Sequence, residues 1–283
     1  MQSKMTYYLK LSVNNRRFVL CIVVLFILMF TTIVYIDPNT SKGYSVIEAM
    51  MSLQVIESEN ITDLSFVNVF KYALHGNITL IMPLLVAFPC VSVLADERKS
   101  KMTYFSCSRM ELKLCWMSQF IACIITAFCV IVCAYGLFGM VTGAIFPTVV
   151  SGEAGVDPAD AFASGSIKDT IIPCLLTSGL YGALVSLPVL ICYSFMKNEY
   201  MYYSISLVFI YLFEGTTDLF QKRWGEFLPE GMDFYCFRPE SILNFTHLKE
   251  NGKRVVVAVY LIGTILSLIV YMLFKSRRYD YGD

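Results

Sequence analysis

Apolar residues along this chain gather in six runs, Phe18–Ile36, Ile78–Ala95, Cys115–Ile145, Ile171–Met196, Met201–Phe213 and Val255–Phe274, with charges returning between them. The runs are continuous and do not alternate, and most approach the roughly 20 residues that a helix needs to cross a bilayer. Six transmembrane helices are therefore predicted, making an all-α polytopic membrane protein. The third run exceeds what a bilayer requires and has room to tilt, whereas the fifth is short and must borrow from Tyr200 or Glu214. The first run is too long and too rich in Leu, Val and Ile for a secretory leader, and no small-residue cleavage pattern precedes Asp37-Pro38. It is expected to stay as an anchor.

Composition agrees with this class: 57% of residues are hydrophobic, 16% are charged, and mean hydropathy is +0.62, outside the range of an ordinary soluble domain. The formal net charge of +0 conceals segregation. Lys4, Lys10, Arg16 and Arg17 precede the first run, Lys197 separates the fourth and fifth, and Lys275, Arg277 and Arg278 follow the last. Cations near span ends resist translocation, so both termini are expected in the cytoplasm. The connecting stretches 37–77 and 146–170 carry acids such as Glu57, Glu59, Asp63, Glu153, Asp157 and Asp160, and are placed outside. Residues 214–254 contain Lys222, Arg223, Arg238, Lys249, Lys253 and Arg254, yet long segments translocate largely regardless of charge, so this one is also placed outside. No such distribution suits nucleic acid.

The runs contain no Asp, Glu, Lys, Arg or His, and the two histidines, His75 and His247, fall between runs. Proton and ion relays use such groups at membrane depth, which argues against a secondary transporter. No HExxH ligand set is present and Ser178-Gly179 lacks a helical His partner, so intramembrane catalysis is not expected. No GxxxxGK phosphate loop occurs either; if transport is driven, ATP hydrolysis belongs to a separate subunit. Of ten cysteines, Cys21, Cys90, Cys115, Cys123, Cys129, Cys133, Cys174 and Cys192 lie in or beside runs, where cysteine behaves as a small hydrophobe. Cys129 and Cys133 read as helix packing, no metal or cofactor is assigned, and Cys236 stands alone on the outer side.

Residues 96–113 form a charged island between the second and third runs. Five cations (Arg98, Lys99, Lys101, Arg109 and Lys113) hold it on the cytoplasmic side, but Met102, Tyr104, Phe105 and Met110 interrupt the charges. A loop that meets only water has no reason to expose such groups; a segment that docks on a partner does. Glu97, Arg98, Lys101, Met102, Tyr104 and Arg109 are the interface candidates, with pairing of Glu97 or Arg98 to Arg16 or Arg17 as the alternative. Met1–Arg17 mixes Met5, Tyr8, Leu9, Leu11 and Val13 with cations and reads as an interfacial amphipathic helix, leaving 18–283 as one transmembrane domain. Pro83, Pro89, Pro173 and Pro188 mark kinks. Tyr202, Tyr203, Ser206 and Tyr211 give the fifth run a sparse polar face suited to a pathway for an amphiphile, although an aromatic belt explains Tyr202 and Tyr203 equally well.

On these residues the chain resembles the membrane permease subunits of type-2 ABC exporters over essentially its full length. The likeness rests on six runs with basic termini, on Ala95-Asp96-Glu97-Arg98 followed by apolar residues and Ser108-Arg109, and on Phe227-Leu228-Pro229 and Arg238-Pro239-Glu240-Ser241-Ile242-Leu243 before the last run. Ser100-Lys101 and Cys107 depart from the family's usual Gly and Pro. The resemblance implies a cell-membrane exporter working as a homo- or heterodimer with an ABC ATPase subunit, residues 96–113 acting as the coupling segment. It also implies that the outer segment 214–254 forms a short helical hairpin dipping into the outer leaflet. A non-transporting scaffold or sensor, binding a cytosolic partner through the same island, is the alternative; a neighbouring gene for a P-loop ATPase separates the two.

Overall fold

The structure, a computed structural model, describes residues 2–36, 43–52, 65–74, 78–100, 112–146, 166–195, 199–225, 234–243, 248 and 250–280. It is mostly helical: α1 (Gln2–Val13), α2 (Arg16–Phe30), β1 (Ile33–Ile36), β2 (Gly43–Ser45), α3 (Val46–Ser52), α4 (Phe66–Tyr72), α5 (Ile78–Lys99), α6 (Leu112–Ile145), α7 (Ser166–Val185), α8 (Leu187–Phe195), α9 (Glu199–Trp224) and α10 (Glu250–Asp280). Two 3-10 turns, Phe234–Phe237 and Pro239–Ile242, lie between α9 and α10. Four helical segments, Ile78–Lys99, Lys113–Ile145, Ile171–Ser194 and Glu250–Phe274, are long and apolar enough to cross a membrane. A fifth crossing arises if α1 and α2, bent by 58° at the break between them, count as one span. The short fifth apolar run lies inside the 26-residue α9, which continues past Phe213 through Glu214, Asp218, Lys222 and Arg223.

The prolines act unequally. α5 runs on through Pro83 and Pro89, and Ser92 Oγ donates to the Pro89 carbonyl at 3.2 Å. Near Pro188 the helix is interrupted: α7 ends at Val185 and α8 begins at Leu187, because Pro188 has no N–H to bond the Leu184 carbonyl one turn back. Ser186 bridges the break, its N–H bonding Gly182 O at 3.1 Å and its O accepting from Leu190 N at 3.2 Å.

Contacts divide the chain into two units. One comprises Met1–Cys21, Leu80–Val130 and Gly179–Asp283. Its core joins Tyr8, Val91, Leu94, Trp116, Phe120 and Tyr271, and α8 packs on both α9 and α10. Cys90 and Cys123 form a disulfide here, which corrects the reading of every span cysteine as a plain hydrophobe. The two residues are 33 apart in sequence, and packing of α5 on α6 brings their Cα atoms to 5.2 Å, a proximity that spacing alone does not encode. α10 leaves Leu261, Ile262, Ile265, Leu266, Ile269 and Leu273 exposed, a surface suited to acyl chains.

The other unit comprises Ile22–Thr79 and Ile131–Ser178. β1 and β2 pair antiparallel with Ile33 opposite Ser45 and Ile36 opposite Gly43. α3 begins with a capping box: the Ser45 N–H donates to Glu48 Oε2 at 2.9 Å while the Glu48 N–H donates to Ser45 Oγ at 3.3 Å. Phe70 stacks on Tyr135 with ring centroids 4.0 Å apart, and the Tyr135 hydroxyl donates to the Phe70 carbonyl. Gly139 lets this happen, since a Cβ there would lie 2.6 Å from the Phe70 ring. Because Phe70 is fully buried against Tyr135, it has no room to retreat. Gly139→Ala is expected to destabilise the protein by roughly 1–3 kcal/mol, the usual cost of overpacking, as read by SDS-titrated unfolding; an unchanged midpoint would contradict the packing.

Candidate functional site

The last turn of α5 and the first turns of α6 bracket residues 101–111. Lys101, Met102, Tyr104 and Arg109 lie outside the described residues; Glu97 and Arg98, on the last turn of α5, lie within them. Arg98 turns inward. Its guanidinium donates to the Tyr193 carbonyl at 2.7 Å and sits 4.0 Å from the centroid of the Tyr193 ring. Carbonyls in the last turn of a helix lack intrahelical donors, and a guanidinium suits both that carbonyl and an aromatic face. The Tyr193 hydroxyl in return donates to the Leu94 carbonyl at 3.0 Å, so α5 and α8 clasp one another twice.

Tyr8 makes the second tie. It is fully buried, which an interfacial helix lying flat on lipid does not require. Gln119 Nε2 donates to the Tyr8 hydroxyl at 3.0 Å, Cys115 Sγ lies 3.8 Å from the same oxygen, and the Tyr271 hydroxyl donates to Gln119 Oε1 at 3.3 Å. A buried amide is costly unless both its ends are bonded. Gln119 spends one end on α1 and the other on α10. The buried Glu97 carboxyl is within electrostatic reach of the Tyr8 hydroxyl. The N-terminal helix is thus part of the unit's packed core, with Tyr7, Leu11 and Val13 left exposed on its other face.

A salt bridge also joins the N-terminal region to the end of α5. Arg17 bonds Asp96 Oδ2 at 2.7 Å, with side chains 38% and 55% exposed. Exposed pairs of this kind contribute about 0–1 kcal/mol. Asp96→Ala is therefore expected to change unfolding free energy by less than about 1 kcal/mol, and a larger loss in SDS-titrated unfolding would show that this pair matters more than its exposure implies.

The proposed pathway face is only partly visible. Tyr202, Tyr203 and Ser206 belong to α9, but their side chains lie outside the described residues; Tyr211 is 68% exposed. Several Ser and Thr hydroxyls within the apolar helices are consumed locally: Thr126 Oγ1 donates to Ala122 O at 2.7 Å, Thr142 Oγ1 to Phe138 O at 2.8 Å and Ser178 Oγ to Leu175 O at 2.8 Å. Among the described residues no group of three His, Cys, Asp or Glu could hold a metal ion. Sequence reasoning passed over Gln119, Tyr193 and Tyr271. Gln119, an amide inside a run otherwise free of charge, was the one readable signal.

The helices and composition fit a polytopic helical membrane protein. Comparison with known proteins finds no matching family model, no curated relative and no similar solved structure.

Proposed function

We propose that the chain is the membrane-spanning subunit of an ATP-driven exporter of the type-2 ABC kind, with six spans and both termini in the cytoplasm of a plasma-membrane protein. The observation that carries this reading is the double tie around residues 101–111. The two helices that bracket the segment are fastened through Arg98–Tyr193 to α8 and through Tyr8–Gln119–Tyr271 to α1 and α10. A push on the segment moves a block of helices and is not absorbed by one loop. Residues with both charge and aromatic surface at that place suit docking into a cleft of a soluble ATPase, which supplies the hydrolysis this chain has no phosphate loop to perform. Two copies, or this chain with a second permease subunit, complete the pathway. The apolar spans favour an amphiphile such as a lipid, drug or peptide over a small ion.

The test is a search of the neighbouring genes for a soluble P-loop ATPase, followed by reconstitution of the two proteins in proteoliposomes. Supporting results are copurification of the two subunits and hydrolysis stimulated by one of the three amphiphile classes. Stable binding of a regulator or kinase, with no ATPase recruited and no amphiphile moved, would assign the chain to the scaffold or sensor class.

A further inference from the structure

α2 is too short to cross a bilayer by itself. Its 15 residues rise about 22 Å, against about 30 Å of hydrocarbon, and the first two of them are Arg16 and Arg17. At its other end Thr31 and Thr32 fold back on the helix, their hydroxyls donating to the Leu28 carbonyl at 2.7 Å and the Met29 carbonyl at 2.6 Å. α3 is tied to that end: the Val46 N–H donates to the Thr32 carbonyl at 3.0 Å, and the Ser45–Glu48 capping box fixes the first turn. With the two arginines at the headgroups of one leaflet, the end of α2 and the helix fastened to it lie among the acyl chains of the other.

Between α2 and α3 lies a groove of about 320 Å³, lined by Ile27, Phe30, Ile47, Met50 and Met51. Val46 and Ala49 of α3 are buried, whereas Ile47 and Met51 are exposed, Met51 to 81%. Phe30 is a fixed wall, held edge-on by Phe26 and Phe138 with ring centroids 5.0 Å away in each case. The methionines, unbranched and flexible, adapt to an irregular guest. Apart from thioether sulfur the five side chains offer no donor or acceptor, so nothing in the lining orients a polar ligand. Nor does the groove admit a helix from a second copy, since one turn with its side chains, about 10 Å across and about 5.4 Å high, already exceeds it. A hydrocarbon chain fits. Val23, one turn before Ile27 on α2, is exposed as well and continues the apolar surface along the helix.

We propose that this groove binds one acyl chain of a membrane phospholipid, which seals the exposed side of α3 and extends the apolar wall where α2 ends. The inference rests on the reading of α2 as membrane-embedded and is independent of export, so the purified chain suffices to test it without an ATPase.

Full-length protein in maltoside micelles is titrated with phosphatidylcholine that carries a diazirine on one acyl chain, irradiated, and mapped by mass spectrometry. The exposed face of α10 around Ile262 and Leu266 is the internal control for lipid that only coats the protein. Expected are saturable adducts on Ile27, Phe30, Met50 or Met51, alongside α10 adducts that keep rising in proportion to the phospholipid. Ile47→Trp fills the groove and is expected to lower the groove adducts about tenfold at sub-saturating lipid, as a tenfold weaker Kd would, with the α10 adducts unchanged. Met51→Gln is the second variant should Ile47→Trp not fold; the position is exposed enough to leave packing intact, and a polar amide is expected to disfavour the chain as well. Groove adducts that track the α10 adducts at every lipid concentration would mean boundary lipid only and overturn the proposal, as would unchanged groove adducts in both variants. Labelling of α10 with none in the groove would place α3 outside the hydrocarbon, which overturns the proposal and leaves export untouched. Groove adducts that give way to a crosslinked dimer as the protein is concentrated would make a second copy the occupant, and would also overturn it.

Discussion

Replacing Met102 and Tyr104 together with Ala is expected to abolish copurification of the ATPase subunit while leaving permease abundance in the membrane unchanged. Interfaces draw most of their free energy from a few desolvated aromatic and aliphatic anchors, each costing about 2 kcal/mol or more on truncation. Two such losses weaken association by roughly a thousandfold, enough to separate the subunits during purification. Arg109→Ala, as a rim charge, is expected to act mildly and to do so more at low ionic strength. Arg98→Ala belongs elsewhere: its guanidinium is engaged with Tyr193, so the loss should appear in stability of the permease as well as in coupling. Wild-type copurification and wild-type coupled hydrolysis in the Met102/Tyr104 double variant would remove the coupling role and return residues 96–113 to a plain charged loop.

Tyr8→Ala carries the second large effect, a destabilisation of about 3 kcal/mol or more, as for other buried aromatic truncations. Tyr8 is fully buried, and its hydroxyl is where α1 meets Gln119 of α6. Tyr8→Phe keeps the ring and removes the hydroxyl, so it should cost only about 0.6–1 kcal/mol. SDS-titrated unfolding of the two variants separates packing from hydrogen bonding. Equal, small losses in both would mean that α1 rests on lipid as a surface helix and is not part of the core. Where the exporter assembles, Tyr8→Ala should also lower transport per ATP hydrolysed, because the tie from the bracketed segment to α10 runs through the same cluster.

The six apolar runs were readable because continuous hydrophobicity over a bilayer's thickness is a property of the chain itself. Four of them appear as helices able to span, the first as a helix bent away from its N-terminal partner, and the fifth as part of a longer helix with charges on its second half. Pro188 likewise announced its break through the N–H it lacks, a local property, whereas Pro83, Pro89 and Pro173 lie inside continuous helices. The charged island was also visible, and Glu97 and Arg98 lie on the turn where α5 ends. What those two side chains do was left open by the pattern, which offered them to a partner or to Arg16 and Arg17; in the fold Arg98 holds Tyr193, 95 residues away, and Asp96 bonds Arg17.

Sequence by itself determined the helical, membrane-suited character of the chain and the position of the segment between α5 and α6, but not the helix limits, since α9 runs on to Trp224 and α10 opens at Glu250. The first two depend on transfer free energies and backbone sterics that act within a few turns. Tertiary structure decided which polar groups are spent on one another: Tyr8 with Gln119, Gln119 with Tyr271, Arg238 with Thr217 and Asp218, and Cys90 with Cys123. Each pairing joins residues far apart in sequence or on separate elements, and no periodicity records which distant partner packing will bring within bonding distance. Inside an apolar surround an unmet polar group is costly, so packing had to find those partners.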